Sequence, residues 1–133
     1  MQSFHDYHLT GYSVDGQAKE VRLRLEWLSP PSPEIPRPPQ ILVFLGVQDY
    51  FLEHDMGINI IYGIEEVSLE EHVRSNADSF AESSKWGWPR FWLESAEATT
   101  SQLRSKGMKC FELSSSYGLS GWVVAASAHA SAA

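Results

Sequence analysis

The chain has 133 residues, 43% of them hydrophobic and 20% charged, a balance that suits one globular domain over residues 1–133 with its own core. The net charge is −7 and lysines and arginines form no cluster, which argues against nucleic acid as a partner because phosphate binding depends on those residues. No apolar run approaches the roughly 20 residues of a membrane helix, and no signal-peptide pattern opens the chain, so we expect a cytoplasmic protein that does not contact membranes.

The start of the chain predicts a β-hairpin. Residues 7–14 form the first predicted strand, and residues 21–28 form the second because apolar and charged side chains alternate along it. Asp15 and Gly16 lie between the two strands, and this pair favours a tight turn because glycine tolerates positive φ.

The next stretch predicts a stiff loop followed by two strands. Residues 30–39 hold six of the seven prolines, which remove backbone donors and fix φ, so that neither helix nor central strand can form there. Residues 41–51 are almost continuously apolar, as expected of a strand at the centre of a sheet. Residues 59–65 form a fourth apolar run and a fourth predicted strand.

The sequence period then changes to that of helices. Ser68 and Glu71 have the spacing of a capping box, and apolar residues follow at helical intervals as far as Phe80. A second helix is predicted over residues 94–106, with Gly107 suited to a left-handed C-terminal cap.

The end of the chain predicts two more strands, over residues 108–114 and 121–126, and a frayed tail of alanine and serine over residues 127–133. The element order is therefore ββββααββ. Short turns favour antiparallel pairing, and helices grouped together cover one face of a sheet. The predicted fold is α+β, a single antiparallel sheet of about six strands with two helices packed on one face.

Acidic residues and a histidine cluster where the fourth strand meets the first helix. Glu65, Glu66 and His72 offer a carboxylate–histidine site for a small ligand or for acid–base chemistry. Acidic residues at a helix start also complement its dipole, which accounts for most of the cluster without any catalysis. This site is therefore the alternative hypothesis and not the preferred one.

Other chemistry finds no support in the sequence. His5 and His8 stand three residues apart, so a regular strand would point them to opposite faces, and we expect no metal there. Cys110 lies in an apolar run, where cysteine usually packs as a small hydrophobe. We predict no catalytic residues, no metal and no cofactor, and favour a protein that is not an enzyme.

The segment between the predicted helices is the most unusual in the chain. Trp86, Trp88, Arg90 and Trp92 lie within seven residues, together with a glycine and a proline that prevent a regular helix. Exposed tryptophan and arginine are typical of binding hot spots. The alternative is that these rings fill the space between helices and sheet. We predict a partner-binding surface at these four residues, while leaving open whether the rings are exposed or buried.

Residues 41–50, 59–66 and 111–125 together resemble small bacterial α+β proteins of unassigned function, some of which are similar to toxin-immunity proteins. The resemblance covers about a third of the chain and implies no particular site residues. It favours an acidic, non-catalytic protein-binding domain, such as an immunity-type inhibitor of a basic partner. The alternatives are a ligand-binding protein or enzyme at the carboxylate–histidine site, and a structural subunit that forms a homodimer through edge strands.

Overall fold

The computed structural model describes residues 2–31 and 33–133, and it has an α+β fold with one antiparallel sheet, as the sequence predicts. In those residues there are eight strands and three helices, so the predicted six strands, two helices and order ββββααββ are wrong. The order is β1 (His8–Asp15), β2 (Glu20–Glu26), β3 (Gln40–Leu45), β4 (Asp49–Glu53), β5 (Asn59–Val67), α1 (Leu69–Ser75), α2 (Ala77–Ser84), α3 (Ala96–Ser105), β6 (Lys109–Tyr117), β7 (Ser120–Ala125) and β8 (Ser127–Ala132).

Two predicted elements are each divided by a local change of backbone. The apolar run 41–51 forms β3 and β4 because Gly46 adopts a left-handed conformation (φ 65°) that ends the first strand. The first predicted helix forms α1 and α2, which meet at Asn76 (φ −107°, ψ 9°). The side chain of Asn76 donates to the carbonyl of His72 at 2.8 Å, a local bond that competes with continued helix.

The predicted frayed tail over residues 127–133 is wrong, because residues 127–132 form strand β8. Six residues of this segment pair antiparallel with β3, from Leu45 opposite Ser127 to Gln40 opposite Ala132. Alanine and serine have low strand propensity. Pairing with a strongly apolar neighbour overrides that preference, and the side chain of Ala128 packs against the adjoining core.

The sheet curls back on itself through its last two strands. The strand order is β4-β7-β6-β5-β1-β2-β3-β8. Since only Ala126 separates β7 from β8, one nearly continuous segment pairs with β6 and β4 in its first half and with β3 in its second half. The result resembles a barrel whose wall is completed by this shared segment.

Two separate apolar clusters follow from the alternation of side chains along the strands. On β7, Val123 joins the cluster enclosed by the curled sheet, whereas Trp122 and Val124 join a cluster that includes helix residues. The enclosed cluster also contains Phe44 and Phe111, whose ring centroids lie 5.4 Å apart. The second cluster contains Leu69, Val73, Phe80, Phe91, Leu103 and Cys110. That the helices cover one face of the sheet stays a prediction.

The proline-rich loop connects β2 to β3 and is held by its neighbours. The hydroxyl of Tyr7 donates to the carbonyl of Pro38 at 3.1 Å, and the guanidinium of Arg37 lies 4.4 Å from the ring centre of Trp27. Ser32, inside the predicted loop, lies outside the described residues. The loop therefore connects the strands while packing beside the enclosed cluster.

Candidate functional site

The tryptophan loop, residues 85–92, begins where α2 ends. The amide of Trp86 donates to the carbonyl of Ser83 at 2.9 Å, and the amide of Gly87 donates to the carbonyl of Ser84 at 3.0 Å. Turn hydrogen bonds therefore continue past the end of α2 as far as Gly87. The side chain of Trp86 nevertheless points away from the protein, and the residue is 87% exposed. The backbone at the start of the tryptophan loop is therefore ordered, whereas the indole of Trp86 is exposed to solvent.

Trp88 and Trp92 differ from Trp86 because each is half-buried. The ring of Trp88 stacks on that of Trp122, with centroids 5.6 Å apart and planes 25° from parallel. It also meets Phe51 edge-on at 5.8 Å. The ring of Trp92 lies 6.4 Å from that of Phe80. The sequence-predicted surface thus divides into an exposed indole at Trp86 and two rings that share in packing.

Arg90 is exposed, and it ties the loop to β4. Its Nη2 donates to the carbonyl of Gln48 at 2.8 Å, and its Nε lies 3.5 Å from Oδ1 of Asp49. The other carboxylate oxygen of Asp49 accepts the amide of Phe91 at 3.1 Å. Burial raises the pKa of Asp49, although the Phe91 amide and the Arg90 charge both oppose that rise. One buried carboxylate therefore fixes the position of the loop.

Sequence reasoning missed Asp49, although a signal was present. The residue is the only charged one in the apolar run 41–51. A carboxylate in such a run requires a partner once it is buried. The sequence cannot name that partner, since Arg90 follows more than 40 residues later.

A cleft opens beside the tryptophan loop, and we call it the hairpin cleft. It has a volume of about 480 Å³ and lies between the end of the β1–β2 hairpin, the turn after β3, and β4. Its apolar lining residues are Val14, Val21, Val47, Tyr50, Phe51, Leu52 and Trp88, and its charged ones are Asp15, Lys19, Glu20, Asp49 and Arg90. This volume falls within the range of small-molecule sites, about 300–1,000 Å³.

The hairpin turn that borders this cleft is itself fixed. The carboxylate of Asp15 accepts the amides of Gln17 and Ala18 at 3.1 and 2.9 Å. Lys19 adopts a left-handed conformation (φ 57°), and its carbonyl accepts the amide of Val47 at 2.9 Å. The turn after β3 therefore holds the hairpin end in place.

The predicted carboxylate–histidine site is rearranged in the structure. The Nδ1 atom of His72 lies 3.3 Å from Oε1 of Glu112, a residue of β6 that the sequence did not indicate. Glu65 stands opposite Glu112 in the strand register. Glu66, the next residue, points to the other face and lies 3.9 Å from Lys109. The structure thus brings His72 together with Glu112 and separates it from Glu66.

The surroundings of His72 limit what it can do chemically. Its ring lies 5.0 Å from that of Trp122 and 5.8 Å from that of Phe80. Its Nε2 atom is buried and has no hydrogen-bond partner among the described residues. Burial lowers the pKa of His72, and Glu112 partly offsets the change. A substrate cannot reach Nε2 in this conformation.

The thiol of Cys110 lies in the same apolar cluster. Burial, with a smaller contribution from the charge of Glu112, raises its pKa to about 12. The sulfur is therefore a protonated thiol at neutral pH, which is a poor nucleophile.

No family model, curated protein or solved structure matches this chain. In the part of the chain that the structure describes, the helices are too short or too polar to cross a bilayer. The same residues bring together no group of three or more potential metal ligands of the histidine, cysteine or carboxylate type.

Proposed function

We propose that this protein is a non-catalytic, cytoplasmic protein-binding domain, in the manner of an immunity-type inhibitor, and that it binds its partner through Trp86 and the adjoining part of the tryptophan loop. The observation that carries the proposal is the exposure of Trp86, at 87%, on an ordered backbone. Tryptophan is enriched among the residues that dominate binding energy at protein interfaces.

The fixed position of the loop supports a binding role. An interface residue contributes most when its backbone is already ordered before binding, because less conformational entropy is then lost. The bonds from Arg90 to Gln48 and from Phe91 to Asp49 provide that order at one end of the loop. The hydrogen bonds of Trp86 and Gly87 to the end of α2 provide it at the other.

The charge of the protein supports a basic partner. Seventeen acidic side chains oppose ten basic ones, and such an excess accelerates association with a positively charged surface. The attraction acts over about 8 Å at physiological ionic strength and weakens as salt is added. We therefore expect the rate of association to fall with increasing salt.

The test is capture of a partner from cells that naturally contain the protein. We expect one protein at a stoichiometric amount with the native chain and with Tyr62→Ala, which removes an aromatic side chain that is 63% exposed on β5. We expect Trp86→Ala to lose it. Trp88→Ala is unsuitable as a probe because removing its stacked ring would cost about 3 kcal/mol of stability.

The contrary outcomes are clear. A partner retained by Trp86→Ala would remove this surface from the proposal, and a partner that is acidic would remove the electrostatic argument. If no partner is captured and light scattering shows a dimer that Trp86→Ala converts to a monomer, the exposed indole serves self-association. That result would favour the alternative of a structural subunit.

A further inference from the structure

The hairpin cleft runs along the outer edge of β4. Residues 49–52 are consecutive in this strand, and all four line the cleft. Successive side chains of a strand point to opposite faces, so a cavity over one face would meet only alternate residues. Across residues 2–31 and 33–133, β4 pairs with β7 alone, which leaves its other edge without a partner strand. The cleft therefore lies beside that unpaired edge, where residues of both faces meet it.

Apolar side chains on the two sides of the cleft are only partly covered by the fold. On the hairpin side, Val14 stands opposite Val21, which is completely buried, yet Val14 is 42% exposed. Residues directly opposite each other share a face, so Val14 is directed toward the enclosed cluster without being covered. On the other side, the ring of Phe51 meets that of Trp88 edge-on at 5.8 Å. A segment placed in the cleft would cover apolar groups on both sides.

The edge of β4 also carries backbone groups that another strand can bond. The tryptophan loop covers only the start of this edge, where Nη2 of Arg90 donates to the carbonyl of Gln48 at 2.8 Å. In the described structure no side chain bonds to the backbone of residues 50–52. Unpaired N–H and C=O groups at a sheet edge bind extended segments of other chains. The free part of β4 is therefore complementary to an extended backbone.

The charge of the cleft and of the whole chain favours a basic segment. Three carboxylates line the cleft against two cations, namely Asp15, Glu20 and Asp49 against Lys19 and Arg90. That surplus is small, and the net charge of −7 supplies most of the attraction.

We propose that the partner adds an extended segment to the outer edge of β4, as an additional strand whose apolar side chains enter the hairpin cleft and alternate with lysine or arginine. This inference rests on the proposed function, because Trp88 and Arg90 of the tryptophan loop line the cleft as well. Trp86 does not line it, so its indole contacts the partner outside the added strand.

The probe is the peptide acetyl-Lys-Val-Lys-Val-Lys-amide, titrated into the native chain and followed by amide chemical shifts. We expect saturable binding at one equivalent, with shifts concentrated at Val14 and at residues 50–52. The peptide with glycine in place of valine has the same charge and no apolar side chains, and it is expected to bind about ten-fold more weakly. The peptide with glutamate in place of lysine is expected to bind more weakly as well.

Two N-methylated peptides test the backbone pairing. Successive amides of a strand point to opposite sides, so only one of the amides at the third and fourth residues of the peptide faces β4. N-methylation of the amide that faces β4 should weaken binding about five-fold, the factor that corresponds to a hydrogen bond of about 1 kcal/mol. N-methylation of the other amide should weaken it much less.

A pair of variants locates the peptide. Val14→Lys should weaken the lysine peptide about ten-fold, because it removes an apolar contact and adds a like charge to the cleft. Ile58→Lys is the matched control, since it makes the same change of charge at an exposed apolar residue that does not line the cleft. Trp86→Ala should leave the affinity for this peptide unchanged.

Several outcomes would overturn the added strand. Equal binding of the glycine peptide would show attraction by charge alone, and equal affinities of the two N-methylated peptides would show that the backbone does not pair. Equal losses in Val14→Lys and Ile58→Lys would place the peptide elsewhere. If no peptide binds and Val14→Lys still captures a partner that Trp86→Ala loses, the proposed function stands without the added strand. If the peptides behave as expected but no partner is captured from cells, the proposed function fails and the β4 edge remains a peptide site.

Discussion

Asn59 and His72 are both buried polar residues, and they differ in how completely their hydrogen bonds are satisfied. The side-chain oxygen of Asn59 accepts the amides of Met56 and Leu119, each at 2.9 Å. Its nitrogen donates to the carbonyl of Leu9 at 3.2 Å and to the carboxylate of Asp55 at 3.0 Å. Asn59 thus joins three parts of the chain, whereas the Nε2 atom of His72 is left without a partner in the described structure.

We expect the burial of His72 to make stability depend on pH. Its pKa is lowered in the folded protein relative to an ordinary value of 6.5. The unfolded chain therefore takes up a proton as the pH falls through 6.5, while the folded protein does not. The contribution of His72 to the free energy of unfolding is complete above pH 6.5. Below that pH the contribution falls by up to about 1.4 kcal/mol per pH unit, until the lowered pKa is reached.

Urea unfolding between pH 5 and pH 7.5 would measure this effect. His72→Phe keeps a ring in the aromatic cluster but cannot bind a proton, so its free energy of unfolding should change less over the same interval. Equal pH dependence in the native chain and in His72→Phe would show that other groups are responsible.

The residues that the sequence indicated and those that it missed differ in the range of their contacts. His72 and Arg90 were both identified from local pattern. Their partners Glu112 and Asp49 were not, because each lies about 40 residues away and is brought close only where a helix or a loop packs against a strand. Local sequence identifies a residue that needs a partner, but the partner depends on the tertiary fold.

At the scale of secondary-structure elements, the sequence predicted a strand or a helix correctly where the period of apolar residues or a capping motif was clear. The alternation over residues 21–28 corresponds to β2, and the hydroxyl of Ser68 accepts the amide of Glu71 at 3.2 Å, as the capping box requires. It failed at β8, whose residues have no strand pattern of their own and which pairs with the distant β3. The prediction also missed the end of β3 at Gly46, because the hydropathy pattern does not show that a single residue adopts a left-handed conformation.

The edge strand β4 depends on a close approach at Gly121. A Cβ atom built on Gly121 would lie 1.8 Å from the carbonyl oxygen of Phe51, so no side chain fits there while β4 remains paired with β7. We expect Gly121→Ala to destabilise the protein by about 3 kcal/mol and to separate β4 from β7. Gly16→Ala, at a turn where a Cβ atom meets open space, is the control.

Thermal unfolding and amide exchange of β4 would test this expectation. Faster exchange in Gly121→Ala at Phe51 and Leu52, with Gly16→Ala unchanged, is the expected pattern. A variant of native stability and native exchange would show that β4 tolerates displacement, and that the border of the hairpin cleft is less rigid than the structure indicates.

At the scale of the whole molecule, the last strand completes the curled sheet. Deletion of residues 127–133 would remove every pair between β3 and β8 and uncover the side of β3. Hydrogen bonds contribute about 0.5–1.5 kcal/mol each, so we expect a loss of several kcal/mol, a large part of the 5–15 kcal/mol typical of a domain. Deletion of Ala133 alone, which removes its bond to the Pro39 carbonyl, should cost little.

Urea unfolding of both truncated chains would decide between a structural strand and a dispensable tail. If the chain that lacks residues 127–133 unfolds at the same urea concentration as the full chain, these residues contribute no stability. The sheet would then not need β8.

The pairing of β3 with β8 also has a consequence for synthesis. Leu45 leaves the ribosome early, but its partner Ser127 is added only after roughly 80 further residues. Until β8 has been synthesised, which takes several seconds, one side of β3 has no partner strand. A newly made chain therefore passes through a period in which an apolar strand edge is open to any other extended segment nearby, and a slow ribosome lengthens that exposure.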